Sequence, residues 1–306
     1  MSEKRLSRAR GDASPGERPL FTESIGKRLR VALDEDLGRG DITSEALIPA
    51  TATAGAAIMA RQSGVLCGLP LAPMLLGLVD ERLQFEASSA DGVRVERGDV
   101  LGTIRGPLRG ILAAERTMLN LLQRASGIAT LTAQYVAACE GTGAVIVDTR
   151  KTTPGWRDLE KYAVRIGGGR NHRMGLDDAV LIKDNHLDGG GLTAAEAVRR
   201  ARQAAGDPAF IEVEVRTLDD LRAVLPAEPD IVMPDNFPVE QLREAVKIVK
   251  DHRGDRDRPL IEASGGVTLE TVRSIALTGV DRIAVGALTH SAPALDIALD
   301  VVPKRG

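Results

Sequence analysis

Five short segments of this chain each put ionisable or glycine residues where a parallel strand should end, and each is followed by a helical pattern. They are AVIVDTRKT (144–152), VLIKDNH (180–186), FIEVEV (210–215), IVMPDN (231–236) and LIEASGG (260–266). A sixth, RIAVGAL (282–288), ends in Gly286. Strands covered on both faces read as continuous apolar runs. An α/β barrel keeps its chemistry at the C-terminal ends of such strands. Within FIEVEV the period of two puts Val213 and Val215 on one face and Glu212 and Glu214 on the other. Two carboxylates facing a barrel interior are costly unless cations or ligand hydroxyls meet them.

The chain has 306 residues, enough for a barrel of typical size plus a smaller domain. Aromatic residues make up only 2%, which argues against a stacking platform for single-stranded nucleic acid. A net charge of −3 gives no general attraction to polyanions, so any anion site must be a local cluster. No apolar run approaches a membrane span, and the polar first residues carry no secretory signal core. Cys67 and Cys139 lack metal-site spacing and are too few for a disulfide framework. They read as reduced core thiols of a cytoplasmic protein.

Residues 1–20 read as a disordered tail. Residues 21–115 read as an α+β unit without an evident catalytic cluster. It begins with a helix over 23–33 and an acidic, turn-rich stretch containing Gly38 and Gly40. Two short strands around Ser63-Gly64, a helix over 69–78 and the strands and hairpins of RLQFEAS and VRVERGDVLGTIRGPL follow. A long helix is expected over 111–139. Strand and helix signals then alternate as repeated βα units require, giving a barrel domain over 116–289. Helices are expected over 193–204, 218–224, 240–250 and 269–276. The alternating tail PALDIALDVV (293–302) is expected to return to the first domain, within 290–306.

The richest chemistry lies between Asp148 and His186. Arg150 and Lys151 follow one strand, GGGRNHRMGL carries Arg170, His172 and Arg173, and VLIKDNH places Lys183 inside an apolar strand. Five cations and a histidine at one end of a sheet suit a ligand with several negative charges. The other reading is a set of structural ion pairs with Asp148, Asp177, Asp178 and Asp184. A strand-buried Lys183 would need an anionic partner or lose its charge. Ala263-Ser264-Gly265-Gly266 ahead of a helix resembles a phosphate cradle, and Val285 to Leu288 makes a second such turn; a plain turn is the alternative for each. Glu214 and Asp235, at neighbouring strand ends, could grip ribose hydroxyls or a divalent metal. Their spacing is no all-protein cage and fits Mg²⁺ held mainly by substrate phosphates. No Cys/His cluster suggests zinc, and no dinucleotide or Walker loop is present. His186, His252 and His290 are isolated and read as structural or solvent-exposed.

Read together, AAERTMLNLLQRASGIAT, DTRKTTPGWRDLEKYAVRIGGGRNHRMGL, VLIKDNH, EVEV, DN, EASGG and AVGALTHS resemble the quinolinate phosphoribosyltransferase family, over about 21–302. The resemblance implies an N-terminal α/β sandwich domain followed by an irregular, incomplete α/β barrel. It implies conversion of quinolinate and phosphoribosyl pyrophosphate to nicotinate mononucleotide, pyrophosphate and CO₂ with Mg²⁺, in NAD biosynthesis. It also implies a homodimer, or a multiple of dimers, in which Arg116 reaches quinolinate in the neighbouring subunit. Arg150, His172, Arg173 and Lys183 would line the quinolinate site, with Thr149 among the substrate-binding residues. Lys151 would contact phosphoribosyl pyrophosphate, and Glu214 and Asp235 would hold ribose hydroxyls and metal-bound substrate. Ser264, Gly265, Gly266, Val285, Gly286 and Ala287 would bind the 5′-phosphate. The catalytic set would be Lys151, Glu214 and Asp235; no nucleic acid or membrane partner is implied. Two residues depart from the family pattern: Pro234, where leucine is usual and a kinked strand end is expected, and Trp156, where a smaller apolar residue is common.

Two rival readings are a paralogue of the same fold acting on another heteroaromatic acid, such as the molybdenum-associated ModD-like proteins, and a phosphate-ligand binder or sugar-phosphate aldolase on a barrel. The set Arg116, Arg150, His172, Arg173 and Lys183 favours quinolinate over the first. An aldolase would need a strand lysine for its Schiff base, and Lys183 is the candidate.

Overall fold

The computed structural model describes residues 23–206, 208, 210–254 and 256–302. The tail expected over 1–20 lies outside the described residues. Contacts divide the chain into two units: 23–133, 153–167 and 292–302 form one, and 134–152 with 168–291 form the other. Strands are numbered β1 to β12 in chain order.

The first unit is built on an antiparallel sheet in the order β12–β1–β5–β3, with β1 at Thr53–Ala60, β3 at Gln84–Ala87, β5 at Val100–Pro107 and β12 at Ile297–Val302. In β1, Ala54, Ala56, Ile58 and Ala60 are buried and the residues between them are half-exposed. That alternation marks a sheet with one covered face. The tail does return: β12 pairs with β1 from Gly55↔Val302 to Ala60↔Ile297. The strands flanking Ser63-Gly64 do not pair with each other; β2 (Gly64–Val65) pairs with β4 (Arg94–Val95). The helix Glu23–Leu37 buries Ile25, Leu29 and Leu33, four residues apart on one face. It runs a turn beyond the 23–33 expected, because the acidic Asp34-Glu35-Asp36 run carries no stop signal and Gly38 is the first residue with positive φ. Trp156 stands at the N-terminus of the helix Arg157–Ile166. Within that helix the buried Glu160 takes Arg124 at 2.9 Å and Thr153 Oγ1 at 2.7 Å. Both cysteines are buried free thiols. No helix among the described residues is long and apolar enough to cross a membrane.

The second unit carries six parallel strands: β6 (Val145–Val147), β7 (Val180–Ile182), β8 (Ile211–Val215), β9 (Ile231–Pro234), β10 (Leu260–Ala263) and β11 (Arg282–Ala284). Their order is β6–β11–β10–β9–β8–β7, an incomplete barrel in which β6 and β7 are edges. Arg170 forms a lone parallel bridge to Val147 on the β6 side. The intervening helices start where threonine caps them: Thr193 with Glu196, and Thr217 with Asp220, close reciprocal hydrogen bonds at the first turn. Helices Leu218–Val224 and Leu269–Ala276 have the bounds expected; Val239–Arg253 runs longer than 240–250. Pro234 causes no break. It ends β9 opposite Val215, and Asp235 N–H donates to the Val215 carbonyl at 3.1 Å.

Candidate active site

A cavity of about 630 Å³ opens at the C-terminal ends of the parallel strands. Thr149, Arg150 and Lys151 reach it just after β6, Lys183 after β7, Glu214 from β8, Asp235 after β9, Ser264 to Gly266 after β10, and Gly286 and Ala287 after β11; His172 and Arg173 line it from the loop before β7. Two expected site residues are not among those lining it. Val285 is buried and does not line the cavity. Arg116 is exposed on the helix Leu108–Ala138, in the other unit.

The cations are not used up by structural aspartates. Asp184 pairs with Arg216, and Asp178 accepts the backbone N–H of Met174 at 2.6 Å. Among the described residues, no acceptor meets the side chains of Arg150 or Lys151, and Arg150 Nε is buried. Arg173 is buried as well, and its Nη1 donates only to the Ala179 carbonyl at 3.2 Å. Burial, and next the charge of Arg150 beside it, press the Arg173 guanidinium below its ordinary range. Such a site is preorganised for an anion.

Lys183 needs correction. The strand ends at Ile182, and Lys183 stands at the start of the helix Asp184–Gly190 with its side chain 47% exposed, 3.3 Å from Glu214. Three-residue strands leave their fourth residue outside the ladder, so a continuous apolar run overstates burial. His186 is structural there: its Nδ1 accepts the Lys183 N–H at 2.9 Å. Arg170 also does not join the cluster. Its place beside β6 sends it to a separate cavity of about 430 Å³, lined by Gly143, Arg253 and Asp281 among others.

The glycine turn after β10 has the backbone geometry of an anion nest. Gly265 and Gly266 have φ of +94° and +56°, and the N–H groups of Gly265, Gly266 and Val267 meet no acceptor among the described residues. A Cβ on Gly265 would collide with Asn236, whose own φ is +56° and whose amide donates to Asp235 at 2.7 Å. Asn236 therefore joins the cavity lining with a strained backbone, a position that the motif DN signals only through its aspartate. His290, expected to be structural or exposed, is exposed and lines the cavity beside Gly286.

At the cavity floor, which Glu262 itself lines, lies a charged interior layer. Glu212 and Glu262 are fully buried. The expected face of Glu212 and Glu214 is met by cations: Lys183 at Glu214, and Arg173 and Arg282 acting on Glu212. Glu262 sits opposite Arg282 in the β10–β11 register, with Arg282 Nε 2.8 Å from its carboxylate in an ion pair without hydrogen-bond alignment. Burial raises both carboxyls to about 7, with Glu212 adding to the rise at Glu262. Period-two alternation from Ser264 puts Glu262 on the interior face, a signal that was readable in LIEAS. His172, Glu212 and Glu262 are the one group among the described residues with geometry that could hold a metal.

Two family profiles cover the chain: "Quinolinate phosphoribosyl transferase, N-terminal domain" over residues 41–126 and the C-terminal domain of the same enzyme over 128–300. The nicotinate-nucleotide pyrophosphorylase (carboxylating) of Mycobacterium leprae is 47% identical over 280 residues, covering 89% of this chain and 95% of the relative. A probable nicotinate-nucleotide pyrophosphorylase (carboxylating) of Bacillus subtilis is 43% identical over 267 residues, 87% of this chain and 90% of the relative. The solved nicotinate-nucleotide pyrophosphorylase of Francisella tularensis superposes with a TM-score of 0.86 at 36% identity, covering 95% of this chain and 99% of that one.

Proposed function

The chain belongs to the quinolinate phosphoribosyltransferase family, and on that footing we propose that it transfers the phosphoribosyl group of phosphoribosyl pyrophosphate to quinolinate with decarboxylation. The products are nicotinate mononucleotide, pyrophosphate and CO₂. The observation that carries this reading is one cavity in which, among the described residues, Arg150, Lys151 and Arg173 form no ion pair with a carboxylate, beside a glycine turn whose N–H groups meet no acceptor.

Quinolinate brings two carboxylates, and its co-substrate a diphosphate and a phosphate. Their repulsion must be offset before the ring nitrogen can approach the anomeric carbon. Arg150, Arg173 and Lys183 supply that charge for quinolinate, and the turn at Ser264, Gly265 and Gly266 takes the 5′-phosphate, with Gly286 and Ala287 beside it. Holding both reactants makes the step effectively intramolecular. As the bond to pyrophosphate breaks, negative charge grows on the leaving oxygens, where Lys151 stands. Positive charge grows on the sugar, near Glu214 and Asp235. Loss of CO₂ from ring carbon 2 follows because the cationic ring nitrogen holds the electron pair left behind, and that carbon is then protonated by water or by Lys151.

Glu214 and Asp235 offer oxygen donors that suit a hard cation, and among the described residues neither lies in a three-ligand cluster. This fits Mg²⁺ carried in mainly by the substrate; when bound it would neutralise diphosphate charge. We infer that Arg116, exposed on the helix Leu108–Ala138, serves the neighbouring subunit of a homodimer, as the family resemblance implies. The buried thiols Cys67 and Cys139 suit a reducing cytoplasm. Schiff-base chemistry is disfavoured, since Lys183 is 47% exposed and ion-paired with Glu214.

The test is product analysis after incubation with Mg²⁺, phosphoribosyl pyrophosphate and either quinolinate or nicotinate. Nicotinate mononucleotide is expected from quinolinate, with little from nicotinate. No product from quinolinate, with the protein folded, contradicts the reading.

A further inference from the structure

His172 lines the cavity, yet both of its ring nitrogens are occupied by the protein. Nδ1 lies 2.8 Å from the backbone nitrogen of Arg173, and Nε2 lies 2.8 Å from Glu212 Oε2. A backbone N–H can only donate, so Nδ1 must present its lone pair. A neutral imidazole carries a single N–H, which is then on Nε2 and is donated to Glu212. Protonating the ring would set an Nδ1–H against the Arg173 N–H, donor against donor. The network thus assigns both tautomer and charge.

The rest of the surroundings hold the ring in place. His172 N–H donates to Asp148 at 2.9 Å, and Asn171 Nδ2 donates to the same carboxylate at 2.5 Å. Phe210 meets the imidazole edge-on, with centroids 5.3 Å apart and an interplanar angle of 85°. Arg282 lies over the Phe210 ring, and Glu262 Oε1 stands 3.6 Å from Nε2. Of the charged groups near the ring, Glu212 on β8 and Glu262 on β10 approach Nε2, Asp148 after β6 holds the His172 backbone, and Arg282 on β11 lies behind Phe210.

We propose that His172 makes no hydrogen bond to quinolinate and that Glu212, acting through the His172 ring, is a positioning residue for Arg173. The buried carboxylate fixes the ring, the ring fixes the Arg173 amide, and the Ala179 carbonyl fixes the guanidinium. Arg173 is then aimed into the cavity before ligand arrives, which lowers the ordering cost of binding. The proposal rests on quinolinate being the ligand. A metal ion among His172, Glu212 and Glu262 is the rival account of the same side chains. Charge argues against it: Arg282 and Arg173 already face these two carboxyls.

The chain has four histidines, so ring-nitrogen NMR on ¹⁵N-histidine-labelled protein is tractable, with His172→Phe assigning the signal. The expected spectrum for His172 is the neutral Nε2–H form. It should persist after quinolinate is added. An imidazolium, an Nδ1–H form, or a change of form on binding would overturn the proposal. In kinetics, Glu212→Met should raise the KM for quinolinate ~tenfold, about the worth of one buried hydrogen bond, with the KM for phosphoribosyl pyrophosphate and kcat little changed. Glu212→Gln, which keeps an acceptor for Nε2–H, should recover much of that loss. Equal loss for both substrates, or stoichiometric metal that disappears in Glu212→Gln, would overturn it. Failure of the unmutated enzyme to use quinolinate would instead refute the functional reading, while the tautomer is read independently of turnover.

Discussion

The ammonium of Lys183 lies 3.3 Å from the carboxylate of Glu214, and the two side chains differ in exposure, 47% against 10%. The carboxylate is the fixed partner and the lysine the mobile one. A half-exposed pair of this kind contributes little to stability, so Lys183 is free to leave Glu214 for an incoming carboxylate. Lys183→Ala and Arg173→Ala are therefore expected to weaken quinolinate binding by about 2–4 kcal/mol, and phosphoribosyl pyrophosphate by much less. Calorimetric titration of each substrate checks this. Equal weakening of both would remove these residues from the quinolinate pocket.

Lys151 presents a side chain that meets no acceptor among the described residues, and its Cδ would lie 3.1 Å from a Cβ placed on Gly286. Its proposed partner is the departing pyrophosphate, whose charge peaks in the transition state. Lys151→Ala should lower kcat far more than it weakens quinolinate, because the lost interaction is strongest at the barrier. Pre-steady-state measurement of pyrophosphate release is the check. An unchanged rate excludes Lys151 from the chemistry.

The buried carboxyl of Glu262 is held at about 7, above the 4.5 of an exposed glutamate, chiefly by burial. The folded state therefore binds more protons than the unfolded chain between those values. Stability from this group is complete below about pH 4.5 and is lost as pH rises through about 7, by on the order of 3 kcal/mol. Urea denaturation of the unmutated protein and Glu262→Gln across this window should show the advantage of the former shrinking with pH. A difference that is flat, or that grows, contradicts the assignment.

If Arg116 serves the neighbouring subunit, Arg116→Ala and Lys183→Ala should complement one another in mixed dimers. One site of each mixed dimer then carries both lesions and the other neither. Random exchange puts half the dimers in the mixed class, so about a quarter of all sites are intact. Activity near a quarter of that of the unmutated protein is expected after verified exchange; none would confine Arg116 to its own chain.

Much of this site was legible because parallel strands expose their C-terminal residues. Glu214, Asp235, Ser264 and Gly286 all follow from where apolar runs stop. The return of the tail was legible from its alternation, which β12 realises. What was not legible depends on register. Glu262 and Arg282 are neighbours because β10 and β11 pair at that level, twenty residues apart in sequence. Arg170 looked equivalent to Arg173, but its bridge to Val147 turns it to another cavity. Lys183 looked buried because nothing in VLIK marks the end of a three-residue strand. The role of the His172 ring was hidden for the same reason: its partner Glu212 lies forty residues away.

The most direct test of the whole account is the stoichiometry of a single incubation with Mg²⁺, phosphoribosyl pyrophosphate and quinolinate carrying isotope in its 2-carboxylate. Labelled CO₂, pyrophosphate and nicotinate mononucleotide are predicted to appear in equal amounts. Pyrophosphate released without labelled CO₂, or no release of either from folded protein, would contradict it.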